Sequence, residues 1–222
     1  MYINFIYDEG MDIDCLISKG GGSSNQPGKR TKTYEALLDY TNEIENKEKV
    51  REFVRLYIKE NNLDAEKTTI SLQKNWDLIS NEFEKRAERV FGLNIMDNVI
   101  AYLTITGRFP YNPEKKYFYV SIKKSNANST AMHELWHFYT HRKFEHTISL
   151  IGQSKFNDIK EALSVLLNIE CLDLMNGEID NGYPQHQELR RLITETWLKT
   201  KDVDEVWKVA QDAAKDNLCG AI

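Results

Sequence analysis

The chain has 222 residues, 41% hydrophobic and 28% charged, with a formal net charge of −5 at pH 7. That balance fits a globular domain with a real core, offers no basic footprint for nucleic acid or an anionic membrane surface, and contains no apolar run near the ~18 residues of a membrane span. Cys15, Cys171 and Cys219 are odd in number and far apart, so no disulfide framework is expected and a reducing cytoplasm is the expected home.

Residues 2–7 alternate loosely and hold Ile, Phe and Tyr, the pattern of a short strand, without the basic and long apolar regions of a signal peptide. A second apolar stretch runs from Ile13 to Ile17. Gly20 to Gly28 is low in complexity and reads as a flexible loop, so residues 1–19 are expected to be mobile or separately docked. Gly28-Lys29 invites comparison with a phosphate-cradling loop. That loop needs glycine where Ser23 stands and a hydroxyl where Arg30 stands, so nucleotide binding is not expected.

Helical spacing runs through residues 32–61, from Tyr34, Leu37 and Leu38 to Phe53, Val54 and Ile58, and stops at Asn61-Asn62. Thr68 to Leu72 reads as a strand. Trp76, Ile79, Phe83, Ala87, Val90 and Phe91 mark an amphipathic helix with Gly92 just past its end. Val99 to Thr106 and Lys116 to Ile122 are strand-like and are expected to form a hairpin around the loop 107–113. Helices are expected over 128–143 and 155–175, the latter stopped at Met175-Asn176-Gly177. Asp180-Asn181-Gly182 is turn chemistry, and helices over about 185–199 and 203–217 complete the reading.

The chemistry concentrates in the helix at 128–143, which carries His133-Glu134-Leu135-Trp136-His137. Residues four apart lie on nearly one helix face, so two imidazoles at this spacing can hold one metal ion. Glu134 lies about a quarter-turn from His133, placed to take a proton from a metal-activated water. Asn128, Ser129 and Thr130 offer capping oxygens upstream, and Arg142 and Lys143 suit the C-terminal end. Ala131, Met132, Leu135, Trp136, Phe138 and Tyr139 surround the motif. A helix so apolar is expected to be buried, and burying two histidines and a glutamate on it is costly unless they pair or bind metal. A catalytic zinc usually takes three protein ligands and keeps a fourth position for water. Glu161 is a candidate third ligand on an apolar-rich helix; the alternative is that it lies on that helix's solvated face.

His133-Glu134-Leu135-Trp136-His137 followed by Glu161-Ala162-Leu163-Ser164 resembles the gluzincins, the thermolysin-like clan of zinc metallopeptidases. The resemblance covers roughly residues 98–175. It implies zinc held by His133, His137 and Glu161, with Glu134 as general base, and a peptide or protein substrate laid along the edge of the strand before the motif helix. An aspartate four residues after the glutamate ligand orients a ligand histidine in thermolysin-like members; Val165 stands there in this chain, and Ser164 or Asn168 are candidates for that support. Tyr183 and His186 are candidate donors to the oxyanion. The expected fold is α+β, mostly helical with a small mixed or antiparallel sheet. It is read as a single domain 1–222: a strand and Gly-rich loop to residue 30, a helical part over 31–97, and a zincin-like core over 98–222 with an active-site helix and a glutamate helix.

Rival third ligands are weaker on geometry. His141 continues the four-residue spacing but lies about 12 Å along the axis from His133, too far to share one ion on a straight helix. Glu145 and His146 would need a tight turn without glycine, and Asp158 is shorter in reach and nearer the start of its helix. Cys15 is a possible inhibitory ligand or simply a small buried thiol. The alternative function is a zinc-stabilised binding protein without turnover, which predicts a closed site of four ligands.

Overall fold

A computed structural model describes residues 2–22, 29–95 and 97–215. The phosphate-loop comparison and most of the Gly-rich stretch, like Cys219, lie outside the described residues. The fold is α+β, mostly helical with one small mixed sheet. The chain forms two compact units, one from Met1–Leu78 with Met96–Ala127, the other from Ile79–Ile95 with Asn128–Ile222.

In the first unit β1 (Tyr2–Ile6) leads into α1 (Glu9–Lys19), which starts where the Asp8 carboxylate accepts from the Met11 amide. Then come α2 (Lys32–Tyr40), α3 (Lys47–Glu60) and α4 (Ala65–Asp77), each capped by a side chain: Thr31, Asn46 and Asp64. The strand expected at Thr68 to Leu72 is part of α4. The two threonines and Ile70 have strand propensity, but the Asp64 cap and the buried Leu72 and Trp76, one turn apart, favour the helix.

The sheet order is β1-β2-β4-β3, with β2 at Asn98–Thr104, β3 at Tyr111–Asn112 and β4 at Tyr117–Ser121. Ile3, Phe5, Val99, Ala101, Leu103, Phe118 and Val120 are buried, the period-two face of three strands. β2 and β4 run parallel, Ile100 opposite Tyr117 and Thr104 opposite Ser121. The expected hairpin is therefore wrong. The segment between these strands is long enough for a parallel return, and β3 within it pairs antiparallel with β4. Periodicity identified the strands and could not give their direction.

The N-terminus is not a detached piece. β1 pairs in parallel with β2 through five residue pairs, Tyr2–Asn98 to Ile6–Tyr102. Its outer edge is blocked by Gln73 of α4: the Phe5 amide donates to Gln73 Oε1 at 3.1 Å, and Gln73 Nε2 donates to the Ile3 carbonyl at 3.1 Å. A side-chain amide here satisfies backbone groups that an open edge would expose. Beneath α1, Asp12 is fully buried and accepts from Thr104 Oγ1 at 2.6 Å and the Ile105 amide at 3.0 Å. Burial still pushes its carboxyl up to about 6.

The second unit contains α5 (Ser80–Phe91) and α6 (Asn128–Phe144), then α7 (Ile148–Ile151), α8 (Gln153–Leu163), α9 (Val165–Glu170), α10 (Gln187–Thr200) and α11 (Val203–Lys215). Gly92 ends α5 in the left-handed region, φ 65°, as its position suggested. The helix expected over 155–175 is shorter and broken. Ser164 donates to the Glu161 carbonyl at 2.7 Å, tightening the backbone between α8 and α9, and a 3₁₀ turn follows at Leu172–Leu174. The predicted stop at Asn176-Gly177 is present, with φ 53° and 78°.

Candidate metal centre

α6 is buried on nearly all sides. Trp136 packs edge-on against Phe91 of α5 at 4.8 Å between ring centroids, and Tyr139 stacks on Phe91 at 5.3 Å. At its other end Phe144 stacks on Trp207 of α11 at 4.2 Å, and Phe156 of α8 meets the same indole at 5.4 Å. Aromatic packing of this density fixes the axis of α6 between α5, α8 and α11. The motif side chains therefore project from a rigid element.

α8 brings Glu161 to the two histidines. Its side chain is 11% exposed, so it does not lie on a solvated face. His133 Nε2 is 3.7 Å from Glu161 Oε2, and His137 Nε2 is 3.4 Å from Glu161 Oε1. These separations are long for charge-assisted hydrogen bonds, which run at about 2.7–2.9 Å. The two distances run to different oxygens of the one carboxylate, so each imidazole Nε2 faces its own oxygen of the same group. One ligand atom from each of the three residues lies within 4.8 Å of the other two. Among the described residues no further group of three or more His, Cys, Asp or Glu side chains meets that geometry.

No protein-family model, curated protein or solved structure matches the chain.

The support for His133 comes from Asp180, a residue that in the sequence reads only as part of a turn. Asp180 Oδ2 lies 2.6 Å from His133 Nδ1. With Nδ1 engaged, Nε2 is the nitrogen turned to the cluster. Asp180 is itself held on several sides. Arg190 Nη1 is 3.2 Å from its Oδ1, and Arg190 Nη2 donates to its carbonyl. Asn168 pairs with its backbone in both directions, at 2.8 and 2.9 Å. Ser164 accepts from Arg190 Nη1 at 3.0 Å. The two residues named as candidates, Ser164 and Asn168, thus act one step back, by fixing the carboxylate that fixes His133. Gly182 is required there: its φ is 59°, and a Cβ would meet the Arg190 guanidinium at 2.7 Å. The available sequence signal was the Asp180-Asn181-Gly182 turn following the glutamate helix. Its partner lies 47 residues away.

If the cluster holds zinc, Asp180→Ala should weaken its binding by about 10- to 100-fold, the usual cost of removing a partner behind a metal-ligating histidine. Competition against a chromophoric chelator measures it. Unchanged affinity would mean that His133 is oriented by packing alone.

The electrostatics divide the cluster. Burial alone would lower the His133 pKa, but Asp180 and Glu161 against its ring carry it up to about 10. His137, 1% exposed, is pushed down to about 3 by burial and by the Lys160 charge. Glu161 is held far below the usual carboxylate range: burial opposes this, and His137, His133 and Lys160 outweigh it. Glu134 is 6% exposed and is pushed up to about 7, chiefly by burial. No hydrogen bond reaches its carboxylate among the described residues. It is a buried acid with free acceptor capacity beside the histidine pair.

The other candidates fall elsewhere. The His141 ring packs against Phe156 at 4.9 Å, and His146 is exposed in the 3₁₀ turn Glu145–Thr147. Asp158 is engaged by His186, whose Nε2 lies 3.1 Å from its Oδ1. His186 is 2% exposed, and Tyr183 meets it edge-on at 5.6 Å. Cys15 is buried in α1, its thiol pushed up to about 11 by burial, the state of a packed thiol rather than of a ready metal ligand.

Proposed function

We propose that this chain is a zinc-dependent metallopeptidase, with His133, His137 and Glu161 as metal ligands and Glu134 as general base. The observation that carries the reading is the convergence of two imidazoles one helical turn apart and a buried carboxylate from a second helix, with one ligand atom from each of the three within 4.8 Å of the other two. A zinc ion held by these groups would lower the pKa of a water toward neutrality and polarise a peptide carbonyl. Glu134 then takes a proton from the attacking water on its free carboxylate and delivers it to the leaving amine. Asp180 holds the His133 tautomer through that exchange. Of the two candidate oxyanion donors, His186 has Nε2 on Asp158 and Tyr183 packs edge-on against its ring, and neither is assigned that role.

The group contains three ligands among the described residues rather than four, which favours an open catalytic position over the closed site of a zinc-stabilised binding protein. The test is metal analysis of the full chain by mass spectrometry, paired with incubation on a broad peptide library. We expect about one zinc per chain and new peptide termini that disappear with chelator. Protein refolded with zinc that retains none, with a Tm indifferent to chelator, would refute the metal site. Stoichiometric zinc with no cleavage in the library would transfer the assignment to the binding protein.

A further inference from the structure

Residue 160, immediately before the proposed third ligand, is a lysine, and it is buried, with 3% of its surface exposed. Its Nζ lies 2.7 Å from Glu161 Oε1, the same oxygen that faces His137 Nε2 at 3.4 Å. Lysine is among the residues least often buried without a charged partner. Here a fixed cation has been placed inside a cluster whose geometry suits a divalent cation. Its charge acts on Glu161 and Glu134, and also on His137 and His141. Neither the H-E-x-x-H mechanism nor the ligand set requires it.

We propose that Lys160 is a positioning residue of the metal centre, a resident cation that holds the Glu161 carboxylate in its ligand pose and shares its negative charge with the metal. The proposal rests on the zinc reading above. Two consequences follow from charge alone. Without metal, the ammonium offsets the buried Glu161 carboxylate and keeps the site assembled. With metal, the same ammonium repels the ion and draws electron density from its ligand. The metal is held less tightly and keeps more of its own charge for polarising a carbonyl. Lys160 thus trades metal affinity for a preformed site and a stronger Lewis acid.

The test compares wild type with Lys160→Met, Lys160→Gln and Lys160→Arg. Gln keeps a donor to Oε1 without the charge, and Arg keeps the charge. Zinc affinity is measured by chelator competition at pH 8, and Tm with and without zinc. We expect both neutral variants to bind zinc more tightly, by about tenfold or more, to melt lower than wild type without metal, and to gain more Tm on adding zinc. Lys160→Arg should bind zinc as wild type does. A purely structural lysine would lower both melting points together and leave zinc affinity where it was. Equal or weaker zinc binding in Lys160→Met and Lys160→Gln overturns the proposal. So does failure of both to fold with zinc present, since the ammonium would then be a requirement of the fold and not a tuning charge. If wild type itself binds no zinc, it is the metallopeptidase reading that falls.

Discussion

Glu134→Gln is expected to retain zinc at the wild-type stoichiometry and to lose peptide hydrolysis by about a hundredfold or more, the usual contribution of a positioned general base. The substitution preserves the shape of the side chain on a buried face of α6, so His133 and His137 on either side keep their places. What it removes is the ability to accept a proton. The wild-type carboxylate is 6% exposed and takes no hydrogen bond from any described residue. Its oxygens are nevertheless not among the buried atoms left without a partner, so they reach solvent and can meet a water. Burial also pushes its pKa up to about 7, against the usual value for a glutamate of 4.5. A carboxylate that takes no side-chain hydrogen bond, beside His133 and within the field of Lys160, is suited to meet a water. The measurement is kcat/KM on the best substrate from the library, with metal content determined on the same preparation. Equal rates in mutant and wild type, with equal zinc, would remove Glu134 from the mechanism. Loss of zinc in the mutant would instead place it among the ligands.

The parts of the structure legible in the sequence are those decided within a few residues. The α6 motif was readable because His133 and His137 are one turn apart and the residues between them are apolar, which forces both burial and a shared face. Gly92 and Asn176-Gly177 were readable as stops because only a few residue types occupy positive φ without strain. Glu161 was readable only with the help of a resemblance, since an isolated carboxylate on an amphipathic helix belongs to solvent as often as to a site. What could not be read depends on residues distant in sequence. Val99 to Thr106 and Lys116 to Ile122 have the same alternation whether they pair parallel or antiparallel, and the structure pairs them parallel. β1 looked detachable because a Gly-rich stretch follows it, but nothing local reported that Asn98 to Tyr102 would pair with it or that Gln73 would close its edge. Thr68 to Leu72 misled because β-propensity is a weak prior beside an Asp64 cap and a one-turn apolar repeat. Asp180 is the instructive omission. An aspartate in an Asp-Asn-Gly run is explained completely by the turn it makes, with the Gly182 amide donating to its Oδ1 at 3.0 Å. Its second oxygen was free to serve His133, and no local rule asks about a second oxygen.

Glu161→Ala is expected to lower zinc affinity by more than about a hundredfold, because it removes a proposed ligand and not merely the support behind one. His141→Ala and His146→Ala should leave affinity within about twofold, since neither ring belongs to the cluster. His141 is turned to Phe156 and His146 to solvent, so the temptation to extend the four-residue histidine ladder fails on the path of the helix itself: α6 continues unbroken to Phe144. The Ala variant carries a confounding cost. It leaves the buried Lys160 ammonium without the carboxylate 2.7 Å away, and breaking a buried ion pair from one side typically costs about 3–5 kcal/mol. Lower stability alone would therefore not identify a ligand. The decisive comparison is Glu161→Ala combined with Lys160→Met, in which the stranded charge is gone. If the double variant folds and still fails to bind zinc, the defect lies in ligation. If it binds zinc as tightly as Lys160→Met alone, Glu161 served Lys160 and not the metal. Zinc retained in Glu161→Ala and lost in either histidine variant would overturn both the ligand set and the gluzincin resemblance, because the ion would then sit at the C-terminal end of α6 or in the 3₁₀ turn beyond it.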